Sequence, residues 1–179
     1  MTTERAPDPV REAKAYQDHL LGLLGDDDPA VVQGATSDAY AALVSEAGED
    51  LRTRPEPGEW SVLECLAHTT QAEVVYSARI RWIVAHEEPP LIGYDQDLWV
   101  DGLRGNEEDP ERLISVLRML RDWNLVMWER STPEERAKVG MHAERGPESY
   151  ELNFRLIAGH DRFHLAQAEK ALRLVREAG

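Results

Sequence analysis

A chain of 179 residues is long enough for one domain with a substantial core and short for two. Its formal net charge of −14 repels phosphate backbones, and no stretch approaches the roughly 18 consecutive apolar residues of a membrane span, so neither nucleic acid nor membrane is an expected partner. The single cysteine, Cys65, excludes an intrachain disulfide and a thiolate metal cage, and the start MTTERAPDPVRE lacks the apolar core of a signal peptide, which together point to a cytoplasmic protein.

Residues 1–9 read as an N-terminal tail and 10–179 as a single helical domain. The first helix is expected from Arg11 to Leu24, carrying Tyr16, Leu20, Leu21, Leu23 and Leu24, and GDDDP (25–29) breaks it. Pro29 is placed to start a short helix, and a further segment of about 36–51 follows with Tyr40, Leu43, Val44 and Leu51. RTRPEPGEW (52–60) cannot stay helical through two prolines and is a connector. Ser61 and Glu64 have capping-box spacing, opening a helix that runs to Ala85 or His86 before Pro89 and Pro90.

Residues 87–109 are too long and too rich in bulky groups for a hairpin turn between adjacent helices, so they are expected to cross the bundle or cover one end of it. Asp109-Pro110 caps and starts a helix over 110–130, with Leu113, Ile114, Leu117, Leu120, Met127 and Trp128 at helical spacing. Thr132-Pro133 starts a short helical turn, Gly140 to Gly146 reads as loop, and Ser149 can cap a last helix reaching about Arg176. No segment alternates long enough to suggest a sheet. The expected fold is all-α, a four-helix bundle with an extra N-terminal helix and a long crossover connection.

On the last helix, GHDRFHLAQ (159–167) sets two histidines four residues apart. At about 100° per residue, His160, His164 and Gln167 share the apolar arc with Leu156, Ile157 and Phe163, while Arg155, Arg162, Glu169 and Arg173 lie opposite. Such a pair suits one metal ion and equally suits two core histidines satisfied by hydrogen bonds. His68, on helix 61–85 in the face of Ala72, Val75, Trp82 and Ile83, supplies a third imidazole if the two helices are neighbours. Three neutral imidazoles leave a coordination position open, the arrangement of a catalytic site, and they accept Zn, Ni or Fe.

PGEWSVLECLAH (57–68), GYDQDLW (93–99), HAERGPES (142–149) and GHDRFHLAQ (159–167) together resemble the DinB/YfiT-like metalloenzyme superfamily, over about residues 12–175. The resemblance implies a four-helix bundle whose divalent-metal site falls here on His68, His160 and His164. It further implies transfer chemistry with a low-molecular-weight thiol of the bacillithiol or mycothiol kind, a small-molecule substrate, and pairing into a homodimer. Metal-assisted hydrolysis is the alternative enzyme reading, and a non-catalytic metal-binding or stress-response protein is the alternative outside enzymes.

Four other polar residues are candidates for the chemistry, each with a structural reading beside it. Asn124 either satisfies a buried neighbour or stands beside the site, and Gln167 either lines the pocket or orients a ligand imidazole. Tyr94 supplies a phenol or a packing anchor, and Glu64 is a general base or the capping-box acid. Asp161 is expected to fix a helix contact, His142 to lie in an exposed loop, and His19 and His86 to be incidental. Cys65 reads as a small core residue.

Overall fold

The structure is a computed structural model that describes Pro7 and residues 11–178, so the expected tail, apart from Pro7, lies outside the described residues. The helices are α1 (Ala13–Leu24), α2 (Pro29–Ala47), α3 (Val62–Ala85), α4 (Gln96–Gly102), α5 (Pro110–Arg130), α6 (Pro133–Ala137) and α7 (Tyr150–Ala178). The local signals that open them act as their residue types require. Asp28 accepts from the amide of Ala30, Asp109 from those of Glu111 and Arg112, and Ser61–Glu64 and Thr132–Glu135 both close reciprocal capping boxes.

α2, α3, α5 and α7 form the four-helix bundle: α3 packs on α5 and α7, and α2 closes the ring against the same two. α1 is the extra helix, laid on α7. Its Tyr16 and Leu20 join Ala72 and Tyr76 of α3 and Leu156 and Ile157 of α7 in one apolar cluster. The approach is close because residue 159 is glycine: a Cβ there would stand 2.1 Å from the carbonyl oxygen of Leu20. A methyl group would force α1 off α7, beyond the roughly 1–3 kcal/mol of ordinary overpacking. No helix among the described residues is long and apolar enough to cross a membrane.

Three expectations need correction. Pro29 does not start a separate short helix, because α2 runs unbroken from it to Ala47 and a 3-10 turn follows over Gly48–Arg52. The polar residues that blur its pattern point inward: Gln33 donates to the carbonyl of Phe154 at 2.7 Å, and Thr36 donates to Asp161 at 2.9 Å. Residues 140–146 are not merely loop. β2 (Val139–His142) and β3 (Gly146–Ser149) form an antiparallel hairpin, with β1 (Pro90–Leu91) parallel to β2. The strands are too short to show alternation, and β2 packs so tightly that a Cβ on Gly140 would meet Leu91 at 2.8 Å.

The third correction is the helix α4 within the crossover, which the bulky residues did not announce; Asp95 caps it through the amides of Asp97 and Leu98. The crossover does cover one end of the bundle. Asn106 is fastened by Ser61 at 2.8 Å and donates to the carbonyl of Arg52 at 2.9 Å, and Tyr94 packs on Trp99 with ring centroids 4.6 Å apart.

Candidate metal centre

His68 sits in the second turn of α3, and His160 and His164 sit one above the other at mid-length on α7, the helix that α3 packs against. All three are buried, and one ring nitrogen of each lies within 4.8 Å of the others. The Nε2 atoms of His68 and His160 are 2.9 Å apart. Two nitrogens of a tetrahedral zinc site stand roughly 3.3 Å apart, so the cluster has the dimensions of a cation site.

The donor set fits a cation chemically as well. His164 Nδ1 is 2.9 Å from Oε1 of Gln167, an acceptor that holds the ring proton on Nδ1 and turns the lone pair of Nε2 inward. That Nε2 is buried with no hydrogen-bond partner, as are Nδ1 of His68 and Nδ1 of His160. Orphaned buried nitrogens are costly in an apolar core, and an ion accounts for a lone pair that no donor meets. Trp60, buried at the end of the connector, closes one side; its ring stacks on His164 at 5.7 Å and tilts over His68 at 4.9 Å.

Burial pushes the imidazoles of His68 and His160 well below their ordinary range, and the neighbouring His164 pushes the same way. Burial also lowers His164 to about 4, against a smaller opposing effect of Gln167. His142 falls to about 4 through burial, with Arg145 adding to it. These histidines are therefore neutral in the folded chain at neutral pH, as metal ligation requires. For each, the folded value lies below the unfolded one near 6.5, so its contribution is complete above that pH and is lost as pH falls toward the folded value. The metal-free protein should accordingly lose stability between pH 7 and 5 by up to about 1.4 kcal/mol per pH unit for each histidine. Urea midpoints recorded across that range check this, and a flat profile overturns it.

The remaining candidates are dispersed. Asn124 is buried away from the cluster: its amide donates to Glu73 and, at 2.7 Å, to Ser77, while its oxygen accepts from Arg81 at 2.7 Å. Glu64 is the cap: its carboxylate accepts from the amide of Ser61 at 2.9 Å and from Arg54. Gln167 touches a ligand-candidate imidazole, and Tyr94 lines the cavity described next. Asp161 does fix a helix contact, through both oxygens to Arg121 at 2.6 and 2.7 Å. Burial pushes the Cys65 thiol up and keeps it unreactive. His142 is not an exposed loop residue; it ends β2 and is buried beside Arg79.

A cavity of about 390 Å3 opens onto His160 and is walled by Tyr16, Tyr76, Arg79, Tyr94 and Arg145. Among these the reading of the sequence singled out only Tyr94 for the site. One signal was available: Arg79 follows His68 by eleven residues, three helical turns, and so lies on the same stripe of α3. Burial raises the phenols of Tyr16, Tyr76 and Tyr94, which stay protonated at neutral pH.

Two comparisons with known proteins bear on this arrangement. The sequence model of the DinB superfamily matches residues 34–168, a span that contains all three histidines. In structure the chain is similar to YfiT from Bacillus subtilis, described as a probable metal-dependent hydrolase with an unusual four-helix bundle topology, with a TM-score of 0.74 and 17% identity, over 99% of this chain and 95% of that one. At that identity the likeness shows the fold. No curated protein matches the sequence significantly.

Proposed function

The chain belongs to the DinB superfamily, and from that premise we propose that it is a divalent-metal-dependent enzyme acting on small molecules, a hydrolase, with His68, His160 and His164 holding one ion. The observation that carries the reading is the convergence of three buried imidazoles, one with an inward nitrogen lacking any donor, where one of the three, His160, opens onto a cavity large enough for a small substrate. An ion bound there would act as a Lewis acid on the substrate and bring the pKa of water toward neutrality.

The chain's own groups supply the rest. Gln167 keeps the His164 ring in one tautomer and orientation. Trp60 excludes water from one side of the cluster. The protonated phenols of Tyr16, Tyr76 and Tyr94 can donate hydrogen bonds to an oxyanion developing in the cavity.

Thiol transfer would use the same three histidines with a low-molecular-weight thiol as second substrate. The description of YfiT as a hydrolase favours water, and the cavity reaching His160 favours an enzyme over a sealed metal binder. The test strips the protein with a chelator and reloads it with Zn, Ni or Fe. It then offers a panel of esters and amides without thiol and, separately, a small thiol with a haloarene. We expect cleavage without thiol at least about 100-fold above the stripped protein, and none in His68→Ala. Turnover only with thiol present would establish the transferase reading instead, and an ion held tightly with no turnover in either assay would leave a metal-binding protein. Pairing into a homodimer, part of the same family resemblance, is read by sedimentation of the loaded protein.

A further inference from the structure

We propose that the cavity beside the three histidines takes a small organic acid and that Arg79 receives its carboxylate. The proposal rests on reading this cavity as the substrate site and names the class of substrate.

Arg79 is 3% exposed and lines the cavity. Its Nη2 donates to the carbonyl of Ile92 at 2.5 Å and lies 3.3 Å from Nε2 of His142, while its Nε is buried with no hydrogen-bond partner. Among the described residues no carboxylate lies within ion-pair distance of it. Buried Arg121 and partly buried Arg145 are treated differently. Arg121 is paired with Glu73 and Asp161, and Arg145 with Glu148 at 2.5 Å. A guanidinium in a low-dielectric wall is costly without a counter-ion, and here the missing anion has to come from the cavity.

The surrounding charges narrow what that anion is. Arg145 is already neutralised by Glu148, which also accepts from Gln17 at 2.6 Å. Asp95, Asp97 and Glu144 line the same cavity at exposed positions together with one exposed cation, Arg11, so the mouth is acidic on balance and repels a second negative charge. One uncompensated buried cation behind an acidic mouth matches a monoanionic carboxylate better than a phosphate dianion. The placement also sets polarity. Arg79 lies about 16 Å along the α3 axis from His68, and side chains on a helix lean toward its N-terminus. The carboxylate therefore docks at one end of the cavity and the opposite end of the molecule faces His160.

Binding of phenylacetate, its uncharged amide and inorganic phosphate should be measured by calorimetry on both the metal-stripped and the zinc-loaded protein. We expect saturable phenylacetate binding in both forms, at least tenfold weaker binding of phenylacetamide and of phosphate, and at least a tenfold loss in Arg79→Gln with unchanged zinc content. Arg79→Lys, which keeps the charge, should bind the acid more tightly than Arg79→Gln, and if the glutamine variant does not fold the wild-type ranking and the lysine variant decide. Equal binding of acid and amide, preference for phosphate, no saturation, or unaltered affinity in a folded Arg79→Gln each overturns the assignment. Acid binding seen only with zinc and unchanged in Arg79→Gln would put the carboxylate on the ion and also overturn it. Because the stripped protein is measured too, failure of the hydrolase reading leaves a positive result here standing.

Discussion

His160→Ala should lower affinity for a divalent ion by more than about 100-fold while leaving the helical bundle folded, because a three-imidazole site that loses one ligand keeps only two protein donors. The substitution is mild for the fold. Nδ1 of His160 has no partner in the core, so removing the ring deletes an unsatisfied polar atom as well as a ligand. The apolar clusters that hold α7 are built by Leu156, Ile157, Phe154, Ala168 and Leu172. Gln167→Ala should have a graded effect, roughly 10- to 100-fold, since it releases the His164 tautomer without removing a ligand. Metal content after dialysis against a competing chelator, with circular dichroism as the folding control, reads both variants. Undiminished metal in His160→Ala would sink the ligand assignment.

Arg121→Met should cost about 3–5 kcal/mol of stability, the range for removing one partner of a buried ion pair. Arg121 is 2% exposed, holds both oxygens of Asp161 on α7, and sets its Nε 2.7 Å from Glu73 of α3, a charge contact outside hydrogen-bond alignment. The variant would strand two carboxylates in the core. Burial already pushes the pKa of both upward and the guanidinium opposes it, so without Arg121 they take up protons more readily. The loss should thus be smaller at pH 5 than at pH 8. Arg118→Met removes an exposed partner of Asp38 at 2.7 Å and should cost less than about 1 kcal/mol. Urea unfolding of both variants makes the comparison; equal losses would mean that the buried triad does not hold α3, α5 and α7 in register.

That triad shows why parts of the chain were legible and others were not. Helix starts depend on residues within three or four positions of one another, so Pro29, Ser61–Glu64, Asp109-Pro110 and Thr132-Pro133 could be read directly. The inward arc of α7 is likewise a matter of spacing, and it brought His160, His164 and Gln167 forward together. The face of α3 with Thr70, Glu73 and Ser77 is polar by residue type. It is buried, because α5 supplies Arg121 and Asn124 more than forty residues away, and no local pattern records such a partner.

The sequence by itself therefore determined an all-helical bundle, its boundaries wherever caps are local, and three histidines on inward faces. Tertiary structure alone decided that α3 lies against α7 so that His68 meets the other two, that residues 139–149 fold as a hairpin, and that Arg79 is buried in a cavity wall with His142 buried against it. The physical reason is range. Caps and helical faces follow from interactions within one or two turns, whereas a buried charge, a short strand and a cavity wall each exist only through groups brought from distant parts of the chain.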